Sequence, residues 1–164
     1  MNYEAFQQRA LGKKEQFRKT LRRLRKIKDN QVDQLFHEAH EEAFQEIECL
    51  ECAACCTHVG PRWTRQDIKR VSKSMKTKEA DFETAYLKID EDDDYVLQST
   101  PCPFLQKDNY CMIYENRPKA CREYPHTDRN KMKQLFGLTL KNSSCCPAVE
   151  KILDGISEDV KGKI

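Results

Sequence analysis

No apolar run in this chain approaches the length needed to span a membrane as a helix. Glycine and proline are sparse, five and six residues, too few for a long flexible linker. Charge of one sign is missing too. The formal net charge is only +2, so no strong overall field marks the chain for nucleic acid. The opening, MNYEAFQQRALGKKEQF, has no apolar h-region, so a secretory signal is not expected and a cytoplasmic location is. No P-loop, no G-x-G-x-x-G and no H-E-x-x-H occurs, and no nucleophile–base pair stands out. No catalytic constellation is therefore identified.

What the chain has in excess is sulfur. Nine cysteines stand at 49, 52, 55, 56, 102, 111, 121, 145 and 146, and four of them fall within the eight residues CLECAACC. A disulfide scaffold would want an even count and a secreted context. The odd count, the missing signal and a 34% charged composition argue for metal or redox chemistry instead.

Hydrophobic periodicity organises the rest. Phe6, Ala10, Phe17, Leu21, Leu24 and Ile27 recur at helical spacing and predict a helix over about 3–28, with a basic opposite face from Arg9 to Lys26. Asp29 and Asn30 break it. Val32, Leu35, Phe36, Ala39, Ala43 and Ile47 predict a second helix over about 31–48, acidic outside. Basic and acidic helices in succession suggest an antiparallel αα-hairpin with complementary flanks. VGPRW reads as a turn. Thr64 opens a capping-box-like TRQD ahead of Ile68, Val71 and Met75. SMKTKEADFETAYLKI restarts a helix that the acidic run DEDDD ends. YVLQ (95–98) reads as a strand, and CPFLQKDNYCMIY as a hairpin turning near Lys107–Asn109. Short helices are expected in RPKACREYP and 129–137, with a terminal one starting at Pro147. The fold class is mainly α with a small β-hairpin. An N-terminal helical hairpin, 1–48, precedes a metal-stabilised, cysteine-rich α+β lobe, 49–164.

Thiolates are soft ligands that select zinc or iron–sulfur clusters over magnesium or calcium. Cys49-x-x-Cys52-x-x-Cys55 lets a tight turn aim successive sulfurs at one centre. The same run opens ferredoxin-type motifs, which a distant Cys-Pro completes, and Cys102-Pro103 and Cys146-Pro147 both have that form. Zinc sites favour two close ligand pairs instead, and Cys102 with Cys111 at the ends of a hairpin could supply one. Adjacent Cys55 and Cys56 should diverge, which suggests two metals or a polynuclear cluster. Eight cysteines make two sets of four, with one left over. Thiolates that crowded need cations nearby. Arg62, Arg65, Arg117, Lys119 and Arg122 lie close in sequence, either as donors to the sulfurs or as ordinary solvated charge.

CLECAACC, PCPFL, CMIYENRPKACREYP and CCP, in that order, resemble the CxxCxxCC family of YkgJ-like cysteine-cluster proteins over about residues 49–150. The resemblance implies zinc or iron chelation. It implies as metal ligands Cys49, Cys52, Cys55, Cys56, Cys102, Cys111, Cys121 and Cys146. Cys145 departs from the family pattern, which has one Cys before that proline. A related cysteine region occurs in flagellin lysine methylases, so iron–sulfur chemistry or methyl transfer stays open. Cys146, just before Pro147, also suits the cap of the last helix, where backbone N–H groups favour a thiolate.

His58 and His126 are further candidate ligands, while His37 and His40 read as surface residues of the acidic helix. Trp63, Phe104, Tyr110, Tyr114 and Tyr124 surround the cysteines in sequence, as a dry shell would. Three functions fit. The first is a metal-binding protein holding two zinc ions or an iron/iron–sulfur centre through eight thiolates. The second is an iron–sulfur protein of redox or methyl-transfer chemistry. The third is a zinc-shaped adaptor for nucleic acid or a partner protein. Metal ions are the partner common to all three.

Overall fold

The computed structural model describes residues 3–161. The long apolar stripes form the helices they predict. α1 runs Tyr3–Leu24 and α2 Asp29–Glu46. Phe6, Ala10, Phe17, Leu21 and Leu24 are buried on the first, Val32, Phe36 and Ala43 on the second. The architecture is mainly α with a small antiparallel sheet. The backbone groups into two compact units. One joins residues 1–48 to 125–164, and the other is 49–124. The sequence pattern places one boundary, at 48, and the backbone contacts add a second at 124–125.

The physical reason lies in the last helix. In the helical unit, residues 132–135 form a 3-10 turn that leads into α8, Phe136–Asn142, and α9 runs Pro147–Lys161. Val149, Ile152, Leu153, Ile156 and Val160 of α9 are buried. This face packs against both α1 and α2, which meet α9 far more than they meet each other. The basic flank of α1 accordingly pairs with α9 and not with acidic α2. Arg9 holds Glu150 by two parallel bonds of 2.8 Å, and Lys13 reaches Glu150 at 3.2 Å and Asp154 at 2.5 Å. Burial works to raise the Glu150 pKa, but these cations outweigh it and hold the carboxyl below its ordinary value. Deeper in, Thr20 and Ser157 hydroxyls bond at 2.8 Å. His37 keeps 38% of its side chain exposed, as a surface residue does, whereas His40 is half-buried. His40 Nδ1 meets Thr127 Oγ1 at 2.9 Å, and His37 Nε2 lies 3.6 Å from Asp128.

The other unit is built from short pieces. α3 is Cys49–Cys52 and α4 Ala54–His58. β1, Arg62–Trp63, precedes α5, Arg65–Ser74, and α6, Glu79–Tyr86. β2 is Leu87–Ile89 and β3 Tyr95–Leu97. A 3-10 turn at Tyr114–Asn116 leads to α7, Lys119–Glu123. The sheet order is β1-β3-β2, antiparallel throughout, with Trp63 opposite Tyr95 and Leu87 opposite Leu97. DEDDD is the β2–β3 turn, in which Asp90 Oδ1 accepts from the backbone N–H groups of Asp92 and Asp94 at 3.0 Å. Leu105 and Cys111 bridge as expected for the CPFLQKDNYCMIY hairpin. Trp63, Ile68, Val71, Phe82, Leu87, Leu97, Phe104 and Ile113 make the core, and Cys102 and Cys111 pack against it.

Candidate metal centre

Cys49-x-x-Cys52 occupies a single helical turn, and Cys55 and Cys56 occupy the next. Between them Ala53 sits in the left-handed region, φ 45° and ψ 14°, which breaks the helix and redirects the run. Its backbone remains tied at both sides, Ala53 N–H to Cys49 O at 2.9 Å and Thr57 N–H to Ala53 O at 3.1 Å. The run is fastened to the 102–111 hairpin. Cys102 N–H donates to Cys56 O at 2.8 Å, and Asn109 Nδ2 to Glu51 O at 3.0 Å.

α7 brings in Cys121, and its start is fixed by Asp67. That carboxylate is 1% exposed. It completes a capping box with Thr64, accepting from Thr64 N at 3.0 Å and Oγ1 at 2.6 Å while Asp67 N–H donates to Thr64 Oγ1 at 3.1 Å. Asp67 Oδ1 also accepts from Arg70 at 2.6 Å and from Lys119 N at 3.1 Å. One buried carboxylate thus caps α5 and anchors the first residue of α7.

Three segments distant in sequence thereby gather Cys56, Cys102, Cys111 and Cys121, and these thiols act on one another electrostatically. Cys55 gives a hydrogen bond to Cys56. That bond, helped by Arg117 and opposed by burial, brings the Cys56 thiol down to about 7. Burial pushes Cys102 up to about 11 and Cys121 up to about 12, with the neighbouring sulfurs adding to both. Cys111 is raised as well, by burial first and by Cys56 after it. One sulfur is poised to ionise, and the others are held as thiols by burial and by one another's charge. A bound metal cation supplies what this set lacks, since a coordinating thiol is deprotonated outright. The donor chemistry therefore fits a thiophilic metal. Among the described residues, no three His, Cys, Asp or Glu side chains already stand at the separations of a formed metal site.

Of the other expected site residues, Cys49 and Cys52 lie one turn upstream on α3. Cys55 lies next to Cys56 on α4 and hydrogen-bonds to it. Cys146 precedes Pro147 at the head of α9 and is buried, in the helical unit, whereas the seven other cysteines of the expected ligand set belong to the cysteine unit. Cys145 directs its Sγ to Asn142 O at 3.4 Å. His58 ends α4, and His126 lies in the helical unit with φ 64°. Trp63 and Phe104 are buried core aromatics 5.9 Å apart, whereas Tyr110 is exposed. Of the five cations near the cysteines, Arg62 pairs with Asp94, Arg65 with Glu83 and Lys119 with Glu123. Arg122 donates to Arg117 O. Among the described residues it is Arg117 that acts on the thiols, specifically on Cys56, Cys111 and Cys121.

A cysteine run tied to a second cysteine hairpin and a third cysteine helix is the arrangement of a metal-chelating domain. The chain belongs to the CxxCxxCC family, described as a "putative zinc- or iron-chelating domain", whose pattern matches residues 48–151, well over half of the sequence. No curated protein and no solved structure matches it.

Proposed function

We propose that this protein binds metal through its cysteine cluster. Cys56, Cys102, Cys111 and Cys121 form one ligand set, and Cys49, Cys52, Cys55 and Cys146 supply the remaining sulfurs. Eight thiolates suit two zinc ions or an iron/iron–sulfur centre. The observation that carries this reading is the gathering of four thiols from three separated segments, three of the thiols with raised pKa values. Thiols arranged to repel one another's charge make sense where a cation joins them. The role is structural in the first instance: a unit made of helices of four to ten residues and strands of two or three gains folding energy from such a link.

The test is metal analysis of protein purified without air. About two zinc ions per colourless chain supports the zinc form, and visible absorption bleached by dithionite supports the iron–sulfur form. Protein that takes up neither metal at stoichiometric level sinks the reading. Within the same experiment, Cys146→Ser is expected to lower the metal content and Cys145→Ser to leave it unchanged. Equal losses would mean that the eighth ligand is wrongly assigned.

A further inference from the structure

Trp63 Nε1, Arg70 Nε and Arg117 Nε are buried side-chain N–H donors that meet no acceptor. All three belong to the cysteine unit. A buried donor without an acceptor costs about 1–3 kcal/mol, so it calls for a partner. The guanidinium of Arg70 is otherwise well used, with Nη2 on Asp67 Oδ1 at 2.6 Å and on Arg117 O at 3.0 Å. Arg117 is different. It acts electrostatically on the cysteines, and its Nε has nothing to donate to.

Arg117 is also held in place with unusual thoroughness. Pro118 follows it and confines it to extended backbone, φ −53° and ψ 148°. Its carbonyl accepts from Arg70 at 3.0 Å and from Arg122 at 2.8 Å. Its guanidinium carbon stands 3.7 Å over the ring of Tyr114, three residues earlier, with the 3-10 turn setting the distance. Backbone, carbonyl and side chain are each fixed before any ligand arrives.

We propose that Arg117 is the hydrogen-bond donor and counter-charge for metal-bound thiolate in this cluster, a positioning residue whose missing acceptor is a sulfur that becomes anionic on coordination. This rests on the metal-binding reading above. A thiol is a poor acceptor, whereas a thiolate is a good one, so coordination would create the acceptor that the protein's other groups do not give Arg117 Nε. An all-thiolate centre carries excess negative charge, and a fixed guanidinium beside it offsets that charge without becoming a ligand. Trp63 Nε1, on a β1 strand that contacts α7, is the second donor of the same kind.

The experiment uses the full chain and begins with cobalt(II) uptake by the unaltered protein. Failure of that step falls on the metal-binding reading and not on Arg117. Arg117→Met and Arg117→Lys are then compared with Arg62→Met, which removes an exposed arginine paired with Asp94. Chelator competition gives the affinity, and the sulfur-to-cobalt charge-transfer band reports the electron density on the thiolates. Arg117→Met is expected to weaken cobalt binding about 10–100-fold and to shift the band. Arg117→Lys should recover part of the affinity, because it restores charge without the Nε donor. Arg62→Met should do neither. An unshifted band, or a loss of affinity fully matched by lower stability of the metal-free protein, would make Arg117 structural only and overturn the proposal. If Arg117→Met does not fold, the band position and affinity of Arg117→Lys alone decide, since unaltered values there overturn it too.

Discussion

Asp67 shows how much of this molecule turns on single side chains. Burial works to raise its pKa, but the donors of Thr64, Arg70 and Lys119 together outweigh burial and hold it below its ordinary value. A folded pKa below the unfolded one means that the stabilisation is full above about pH 4, the unfolded value. It is lost as pH falls through the folded pKa. Asp67→Ala removes a cap and a charged hydrogen-bond centre together and is expected to cost about 2–4 kcal/mol, read by urea unfolding at neutral pH. The difference from the unaltered protein should shrink as pH drops below about 4. A constant difference down to strong acid would show that the charge on Asp67 is not what stabilises.

At the scale of elements, the cysteine run depends on one residue in a conformation that its type disfavours. Ala53 at φ 45° is 4% exposed, between α3 and α4. An L-residue pays about 1 kcal/mol or more there, and a β-branched one more still. Ala53→Val is expected to destabilise the cysteine unit by about 2 kcal/mol and to lower metal occupancy, measured by thermal unfolding and metal analysis. Unchanged occupancy with full stability would mean that the run does not need this break.

Elements with long-range pattern were legible beforehand, and those without it were not. The stripe from Phe6 to Leu24 and the Thr64–Asp67 capping box could be read from spacing alone, because helical periodicity and capping are local. β1 could not, since Arg62–Trp63 is two residues long behind Gly60-Pro61 and exists as a strand through Val96 and Tyr95. β2 was read as the end of a helix because Leu87 fits that period, yet pairing with β3 takes it. In the candidate site, the cysteines announce themselves by spacing. The hold of Asp67 on α7, and the choice of Arg117 among five nearby cations, do not, because a charged residue looks alike in sequence whether it is solvated or enclosed.

At the scale of the whole molecule, the two units differ in what can hold them. The helical unit has a conventional core of Phe6, Phe17, Phe36, Leu153 and Ile156. Under the proposed function the cysteine unit adds metal to a smaller one. Chelation is therefore expected to expose 49–124 to proteolysis while α1, α2 and α9 stay protected. The nicked chain should then elute with its two helical ends still associated, through the contacts of α9 with α1 and α2. Resistance of 49–124 after verified metal loss would show that the metal is not structural. Simultaneous loss of all helices would show that the units do not unfold separately.

The pairing of α9 with α1 and α2 also sets a schedule. About a hundred residues separate the end of α2 from the start of α9. At roughly 5–20 residues per second, a ribosome takes about 5–20 s to make that stretch. For all of that interval the apolar sides of α1 and α2 lack their principal partner, while every cysteine from 49 to 121 emerges before it. The cysteine unit thus has its window for acquiring metal first, and the helices are left in the custody of chaperones until the last of them appears. A nascent chain that has left the ribosome as far as about residue 140 should therefore already retain zinc or iron through Cys56, Cys102, Cys111 and Cys121, with its first two helices still open to a chaperone.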